Sequence, residues 1–227
     1  MNQDKAIINT SEALASKRLA IVLLVAGQAK RMGQNKQLLP WRSGTILDSL
    51  CYALTTGMPD AALLVAVTGD DHNELASILQ QYGFMTVQNN EPRLGQGESL
   101  RIGMGTMVAE QDSLHFHIDG VLCSVGDQPL LMPSVVTKLV DAFVGLSQDD
   151  AIVVPVYGEN RHRGNPVIFG SHWFKALAAI EGDEGGRSII RRAPSSSIVD
   201  VEITDDVGID VDTPEEYHQL MCNDMKK

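Results

Sequence analysis

The sequence predicts a three-layer α/β/α fold on a mostly parallel, Rossmann-like sheet, and three observations carry that expectation. Short apolar runs rich in β-branched residues at 19–25, 62–67, 121–125 and 152–156 read as strands buried on both faces. Helical stripes of ten to fifteen residues' spacing separate most of them, which is the signature of βαβ units. The size and balance fit as well: 227 residues, 44% hydrophobic and 21% charged, suit one globular α/β domain rather than a disordered chain.

The elements follow in order. Residues 1–18 are polar, carry Asp4 and Glu12 and lack a hydrophobic signal core, so they read as an arm ahead of a single domain at 19–227. The run Leu-Ala-Ile-Val-Leu-Leu-Val at 19–25 is the first strand. Thr45 with Asp48 three residues later is a capping arrangement for a helix with Ile46, Leu47, Leu50, Ala53 and Leu54 on one side. A strand at 62–67 precedes a helix striped by Leu75, Ile78, Leu79 and Tyr82 and ended by Gly83. A short strand at 84–87 leads through a loop at 89–97 into a helix marked by Leu100, Met104, Met107 and Val108, in spite of Gly103 and Gly105. After the strand at 121–125, Pro133 suits the first turn of a helix carrying Val136, Leu139, Val140 and Phe143. Strands at 152–156, 167–169 and 198–203 follow, with a helix at 173–180 between the last two. A closing helix begins near Pro214, with Tyr217, Leu220 and Met221 on its apolar side.

Composition excludes several function classes. With 18 basic against 29 acidic side chains, the formal net charge of −11 repels a phosphate backbone, so nucleic acid is not the expected partner. No apolar run approaches the roughly 20 residues of a membrane-spanning helix. Cys51, Cys123 and Cys222 are odd in number and form no C-x-x-C pair, which suits buried or incidental thiols in a reducing cytoplasm. His115 and His117 alternate around Phe116 as if sharing a strand face, without a third ligand spaced with them. His72, His172 and His218 are isolated and read as exposed.

Ligands of open parallel sheets bind outside the carboxyl ends of the strands, so the loops after Val25, Val87 and Val125 and the segment before the last helix matter most. The first holds Gly27, Gly33 and a cluster of Lys30, Arg31, Lys36 and Arg42 within an acidic chain. Glycines let backbone N–H groups approach an anion, and the local inversion of charge favours phosphate over an ordinary glycine-rich turn. It is neither a P-loop nor a G-x-G-x-x-G fingerprint: five residues separate Gly27 from Gly33, and Gln34 follows. Asp127, after the 121–125 strand, suits a turn or cap as well as a metal ligand. Asp210, Asp212 and Thr213 before the last helix suit N-terminal capping as well as metal binding.

Leu24 to Gly27, Arg31-Met32-Gly33, Lys36 and Leu38-Leu39-Pro40-Trp41 resemble the loop L-A-A-G-x-S-x-R-M-G-x-x-K-x-L-L of the MobA-like nucleotidyltransferases of molybdenum cofactor maturation, in their cytidylyltransferase branch. Val25 and Ala29 depart from its second alanine and its serine. The resemblance implies the nucleotide-diphospho-sugar transferase type of sheet, with the backbone of Leu24, Val25, Ala26 and Gly27 holding the nucleotide. Lys36 would bind the triphosphate. Gly126-Asp127-Gln128-Pro129 matches the family's G-D-Q-P, in which the aspartate coordinates Mg²⁺. Asp212 matches a second Mg²⁺ ligand of the wider superfamily, with Asp210 as its understudy on the same face. In 89–101, Gly95, Ser99, Leu100, Arg101 and Gly103 resemble a segment bordering the nucleotide. That adds Asn89 and Ser99 as candidate contacts, although Ser99 equally suits a helix cap and Arg101 a surface charge. Arg163, Asn165 and the segment Gly182-Asp183-Glu184-Gly185-Gly186-Arg187 resemble the acceptor-facing stretches, so Arg163, Asn165, Asp183 and Arg187 are candidate acceptor contacts. Asn165 stands where the family has histidine, and Gly186 where it has alanine.

The expected chemistry is therefore transfer of CMP from CTP to the terminal phosphate of molybdopterin or molybdenum cofactor, with Arg31, Lys36 and Asp127 as catalytic groups and a downstream molybdoenzyme or its chaperone as partner. The departure at Asn165 keeps another phosphorylated acceptor open, and a guanylyltransferase using GTP is a further option, with base choice set by the backbone around Leu24 to Gly27. A non-catalytic nucleotide-binding accessory protein is the reading from a different class.

Overall fold

The computed structural model describes residues 17–27, 35–158, 160–183, 185–204 and 213–224. The chain runs β1 (Leu19–Val25), a 3-10 turn (Lys36–Leu38), β2 (Pro40–Trp41), β3 (Gly44–Thr45), α1 (Ile46–Gly57), β4 (Leu63–Thr68), α2 (His72–Gln81) and β5 (Met85–Gln88). A second 3-10 turn (Pro92–Leu94), α3 (Gln96–Leu114), β6 (Gly120–Val125), α4 (Pro133–Val144), β7 (Ile152–Tyr157), β8 (His162–Arg163) and β9 (Val167–Gly170) follow. The rest is a 3-10 turn (Ser171–Trp173), α5 (Phe174–Leu177), α6 (Arg187–Arg192), a 3-10 turn (Ser195–Ser197), β10 (Ile198–Ile203) and α7 (Pro214–Asp224).

The main sheet has the order β10-β7-β9-β6-β1-β4-β5, with β8 pairing β7 beside it. β1 is parallel to both β4 and β6, and β4 to β5, as β10 is to β7; β9 lies antiparallel between β6 and β7. The predicted, mostly parallel α/β sheet is therefore the observed one. β1 supports it from both sides. Leu19, Ile21, Leu23 and Val25 face one apolar cluster, covered by α1, α2 and α4, while Ala20, Val22 and Leu24 face the other, covered by α3, α5 and α6. Burial on both faces is what a continuous apolar run without alternation requires.

The Thr45–Asp48 cap of α1 is present in both directions: the Asp48 backbone N–H donates to Thr45 Oγ1 at 3.1 Å, and Asp48 Oδ2 accepts from the Thr45 backbone at 2.8 Å. Gly103 does not break α3 because a side chain there has no room: an added Cβ would lie 2.6 Å from Val22 and 2.9 Å from Val67, so the glycine lets the helix settle onto β1 and β4.

Four readings change. The helix at 173–180 is one turn, α5, preceded by a 3-10 stretch and followed by a turn, because Phe174, Leu177 and Ile180 reach the core at a spacing that irregular backbone meets as well as a helix does. The segment after the glycines at 182–186 forms α6, which the sequence reading did not mark as a helix. His115 and His117 share no strand: His115 caps α3 in the left-handed conformation, with φ 57°, and His117 pairs with Asp119. His72 is not simply exposed either; it begins α2 with its Nδ1 2.6 Å from Thr68 Oγ1.

The residues after Trp41 return as a two-strand hairpin, and α7 docks on it: Leu220 is buried with Leu39, Trp41 and Ile46, and the Tyr217 hydroxyl donates to Pro40 O at 2.6 Å. No described helix is long and apolar enough to cross a membrane.

Candidate active site

β1 continues into β4 on one side and has β6 on the other, so the chain's crossovers diverge at the β1/β6 edge. A crevice opens at the carboxyl end of such a pair. Here the ends are joined closely: Leu24 and Val125 are register partners, and the Gly126 backbone N–H donates to Leu24 O at 2.9 Å. Two cavities flank that junction.

The first, of about 500 Å³, is lined by Leu24, Ala26 and Gly27 from the end of β1 and by Lys36, Ser99 and Asp127. Lys36 and Asp127 face one another across it, Nζ to Oδ2 at 3.3 Å, with the two side chains 16% and 26% exposed. The lysine is held by its own loop. Asn35 Oδ1 accepts from the Gln37 backbone N–H at 3.0 Å, capping the 3-10 turn that Lys36 begins, and Asn35 Nδ2 donates to Asp71 Oδ2 at 2.7 Å. Asp127 Oδ1 is buried and makes no hydrogen bond among the described residues. An ionised carboxylate oxygen without a donor is costly unless a cation supplies the charge. A hard oxygen of this kind, lining a cavity that Lys36, Arg93, Asp127 and Asp183 share, fits a divalent ion such as Mg²⁺. Among the described residues no three acidic, cysteine or histidine groups cluster as a complete ligand set. Asp212, the expected second ligand, lies outside the described residues, as do Asp210 and Arg31.

The other predicted nucleotide contacts divide. Val25 is 1% exposed and turns its side chain into the core. Asn89 is also 1% exposed; its amide donates to Ser99 Oγ at 3.0 Å and accepts from the Glu91 backbone at 2.8 Å, so it holds Ser99 and the following loop instead of lining the cavity. Arg101 faces outward in a two-bond pair with Glu98, whose carboxyl is held below the usual range by that hydrogen bonding.

The second cavity, of about 260 Å³, has an apolar floor from Leu100, Val154, Val167 and Phe169, and its rim carries Arg163, Asn165, Arg187 and Arg191. Three of the four predicted acceptor contacts are thus together. The fourth, Asp183, is on the other side: it lines the first cavity, and its Oδ1 accepts from the Gln96 backbone N–H at 3.2 Å, where a carboxylate complements the start of α3. Arg163 is aimed by a two-bond pair with Asp200 on β10, at 2.8 and 3.1 Å. The Asn165 carbonyl accepts from the Tyr157 hydroxyl at 2.6 Å. Cys123 lies in the floor, its thiol pushed up to about 12 by burial, and is therefore protonated and unreactive at neutral pH.

Sequence reasoning missed Gln96, Arg191 and Asp200. The four-residue spacing of Arg187 and Arg191 is the signal that would have put both on one face of a helix. Gln96 and Asp200 carry no such signal.

A family model described as the MobA-like NTP transferase domain matches residues 21–198. Purine catabolism protein PucB of Bacillus subtilis (strain 168) is 30% identical over 216 residues, covering 91% of this chain and 98% of the relative. Molybdenum cofactor cytidylyltransferase of Escherichia coli (strain K12) is 24% identical over 196 residues, covering 86% and 92%. Among solved structures, Rv0371c from Mycobacterium tuberculosis H37Rv superposes with a TM-score of 0.71 at 24% identity, over 91% of this chain and 98% of that one; Rv0371c has also been solved in complex with manganese. A nucleotidyl transferase from Methanothermobacter thermautotroptrophicus superposes with a TM-score of 0.74 at 18% identity, over 92% and 98%. These superpositions establish the shared fold.

Proposed function

The chain belongs to the MobA-like NTP transferase family, and from that premise we propose that it transfers CMP from CTP to the terminal phosphate of molybdopterin or molybdenum cofactor, releasing pyrophosphate. The observation that carries the proposal is the Lys36–Asp127 pair, with one carboxylate oxygen left without a donor, in a cavity that adjoins an arginine-rimmed apolar chamber. Two polyanions would meet there, with Lys36 and Arg93 in one chamber and Arg163, Arg187 and Arg191 in the other as the cationic groups available to them.

In this reading the triphosphate lies in the larger chamber against the backbone of Leu24, Ala26 and Gly27. The acceptor's ring system covers the apolar floor of the smaller one, with Arg163, Arg187 and Asn165 at its edge. An acceptor phosphate oxygen forms a bond to the α-phosphorus of CTP; the bond from that phosphorus to the bridging oxygen breaks, and pyrophosphate departs with the electron pair. A phosphate nucleophile is already ionised near neutral pH, so no general base is needed. Catalysis then rests on placement and on charge stabilisation. Lys36, with Arg31, neutralises the charge growing on the pyrophosphate. Asp127 and Asp212 would hold Mg²⁺, which when bound supplies Lewis-acid stabilisation of the phosphate oxygens.

A second reading keeps the transfer and changes the acceptor to another phosphorylated molecule. It is favoured by Asn165 on the chamber rim and by the 30% identity to a protein named for purine catabolism, above the 24% to the cytidylyltransferase. One experiment tests both: purified protein, a divalent cation and each NTP in turn, with molybdopterin, monitoring pyrophosphate. Release with CTP supports the first reading; release with molybdopterin replaced by a different phosphorylated acceptor, and not otherwise, supports the second. Nucleotide binding with no release in any combination overturns both and leaves an accessory protein.

A further inference from the structure

The two chambers share Leu24, Val125 and Gln96 as lining residues. The first two are apolar strand ends, so Gln96 is the polar side chain common to both among the described residues. It is exposed into the cleft as the first residue of α3, and its amide makes no hydrogen bond among the described residues. Its backbone is fixed from below by Asp183 Oδ1, and the next N–H, of Gly97, donates to Gly182 O at 3.0 Å. Its side chain is shaped from the side: Gly185 has a φ of 51°, and a Cβ there would lie 2.8 Å from Gln96 Oε1. The turn at Gly185 therefore leaves room for the amide at the point where the chambers meet.

We propose that Gln96 is a catalytic residue that spans the two substrates, its amide N–H groups donating to phosphate oxygens where acceptor and nucleotide come together. The inference rests on the pyrophosphate-releasing reaction proposed above. Two phosphates brought into reacting distance repel, and the ridge of Leu24 and Val125 offers them no donor. A neutral amide supplies two donors without a charge that would hold either anion too far to one side. Glutamate at the same position would instead add an anion facing two others.

The test is Gln96→Leu and Gln96→Glu, assayed by pyrophosphate release with CTP and molybdopterin and by calorimetric titration of CTP without acceptor. Losing hydrogen bonds to charged phosphate in the reacting complex is expected to lower kcat about 10–100-fold in Gln96→Leu, with CTP affinity kept within about threefold. Gln96→Glu is expected to fall further. Gly185→Ala, which crowds the amide, should lower kcat as well, and adding it to Gln96→Leu should cost little more, because the group it displaces is already gone. An active wild type with Gln96→Leu at the wild-type kcat overturns the role of Gln96 alone. So does a loss confined to CTP affinity, which would place the side chain in the nucleotide chamber only. A wild type that releases no pyrophosphate overturns the reaction itself, and this role with it.

Discussion

Replacing Lys36 by methionine keeps the length of the stem and removes the ammonium, and its consequences for stability and for turnover separate cleanly. Asp127 Oδ2 loses a partner at 3.3 Å while Oδ1 already has none, so a half-buried carboxylate is left uncompensated. At an effective dielectric of about 20, unit charges at this separation attract by about 5 kcal/mol. Water reaches groups that are 16% and 26% exposed, and desolvation offsets part of the attraction, so the net cost of breaking the pair is about 2 kcal/mol. For a domain of this size that lowers Tm by about 4–8 °C. The catalytic loss has a different origin, the missing positive charge at the departing pyrophosphate, and should lower kcat about 10²–10³-fold. Lys36→Met combined with Asp127→Asn removes the stranded anion, so calorimetry should find most of the lost Tm restored while pyrophosphate release stays low. A Lys36→Met enzyme within about threefold of the wild-type kcat refutes the charge argument. A double variant no more stable than the single one refutes the pairing.

Three further outcomes follow from other parts of the chain. Thr45→Ala removes the α1 cap and should cost about 1 kcal/mol, seen as a Tm lower by about 2–4 °C with kcat unchanged. Asp200→Asn releases Arg163 from its two-bond partner and should raise KM for the acceptor several-fold while leaving KM for the nucleotide alone; equal changes in both would place Arg163 outside the acceptor chamber. Burial raises the Cys123 thiol from 9.0 to about 12, so its contribution to stability is complete below the unfolded value and is lost as pH rises from about 9 towards 12. Thermal melts should therefore fall across that range, less steeply in Cys123→Ala, and iodoacetamide at pH 8 should label the exposed Cys222 and spare Cys51 and Cys123, as read by mass spectrometry.

What could be read from the sequence was what depends on local chemistry. The 19–25 run announces a strand because burial on both faces needs no alternation, and Thr45 with Asp48 announces a helix start because the cap is made of residues three apart. Lys36 and Asp127 are 91 positions apart, so only the motifs that contain them linked the two in advance. Asn89 and Ser99 were read as nucleotide contacts; Ser99 lines the first cavity, but an amide that can donate and accept does not reveal from sequence whether it serves a ligand or its own loop, and here Asn89 serves the loop. Asp183 shows the same limit. Gly186 and Arg187, a few residues on, line the second chamber, whereas the Asp183 carboxylate accepts from the Gln96 backbone N–H, one of the first donors of α3 that no helical carbonyl can reach. Gln96 was invisible for a further reason: its significance lies in being shared by two chambers, a property of topology and not of spacing.

That topology also bears on how so acidic a chain would handle the two polyanions of the proposed reaction. With a net charge of −11, the molecule as a whole repels a triphosphate and a phosphorylated acceptor. Binding must then come from short-range groups concentrated where the field can be reversed. The β1/β6 edge does this by dividing them: Lys36 stands on one side of the Leu24–Val125 ridge, and Arg163, Arg187 and Arg191 stand on the other. Had the cations been pooled in one basin, a single polyanion could have neutralised them all and left nothing for the second. Divided by an apolar ridge of two register-paired residues, the two sets of cations would each serve one substrate of the proposed reaction, with Lys36 paired to Asp127 and Arg163 to Asp200 until those substrates bind.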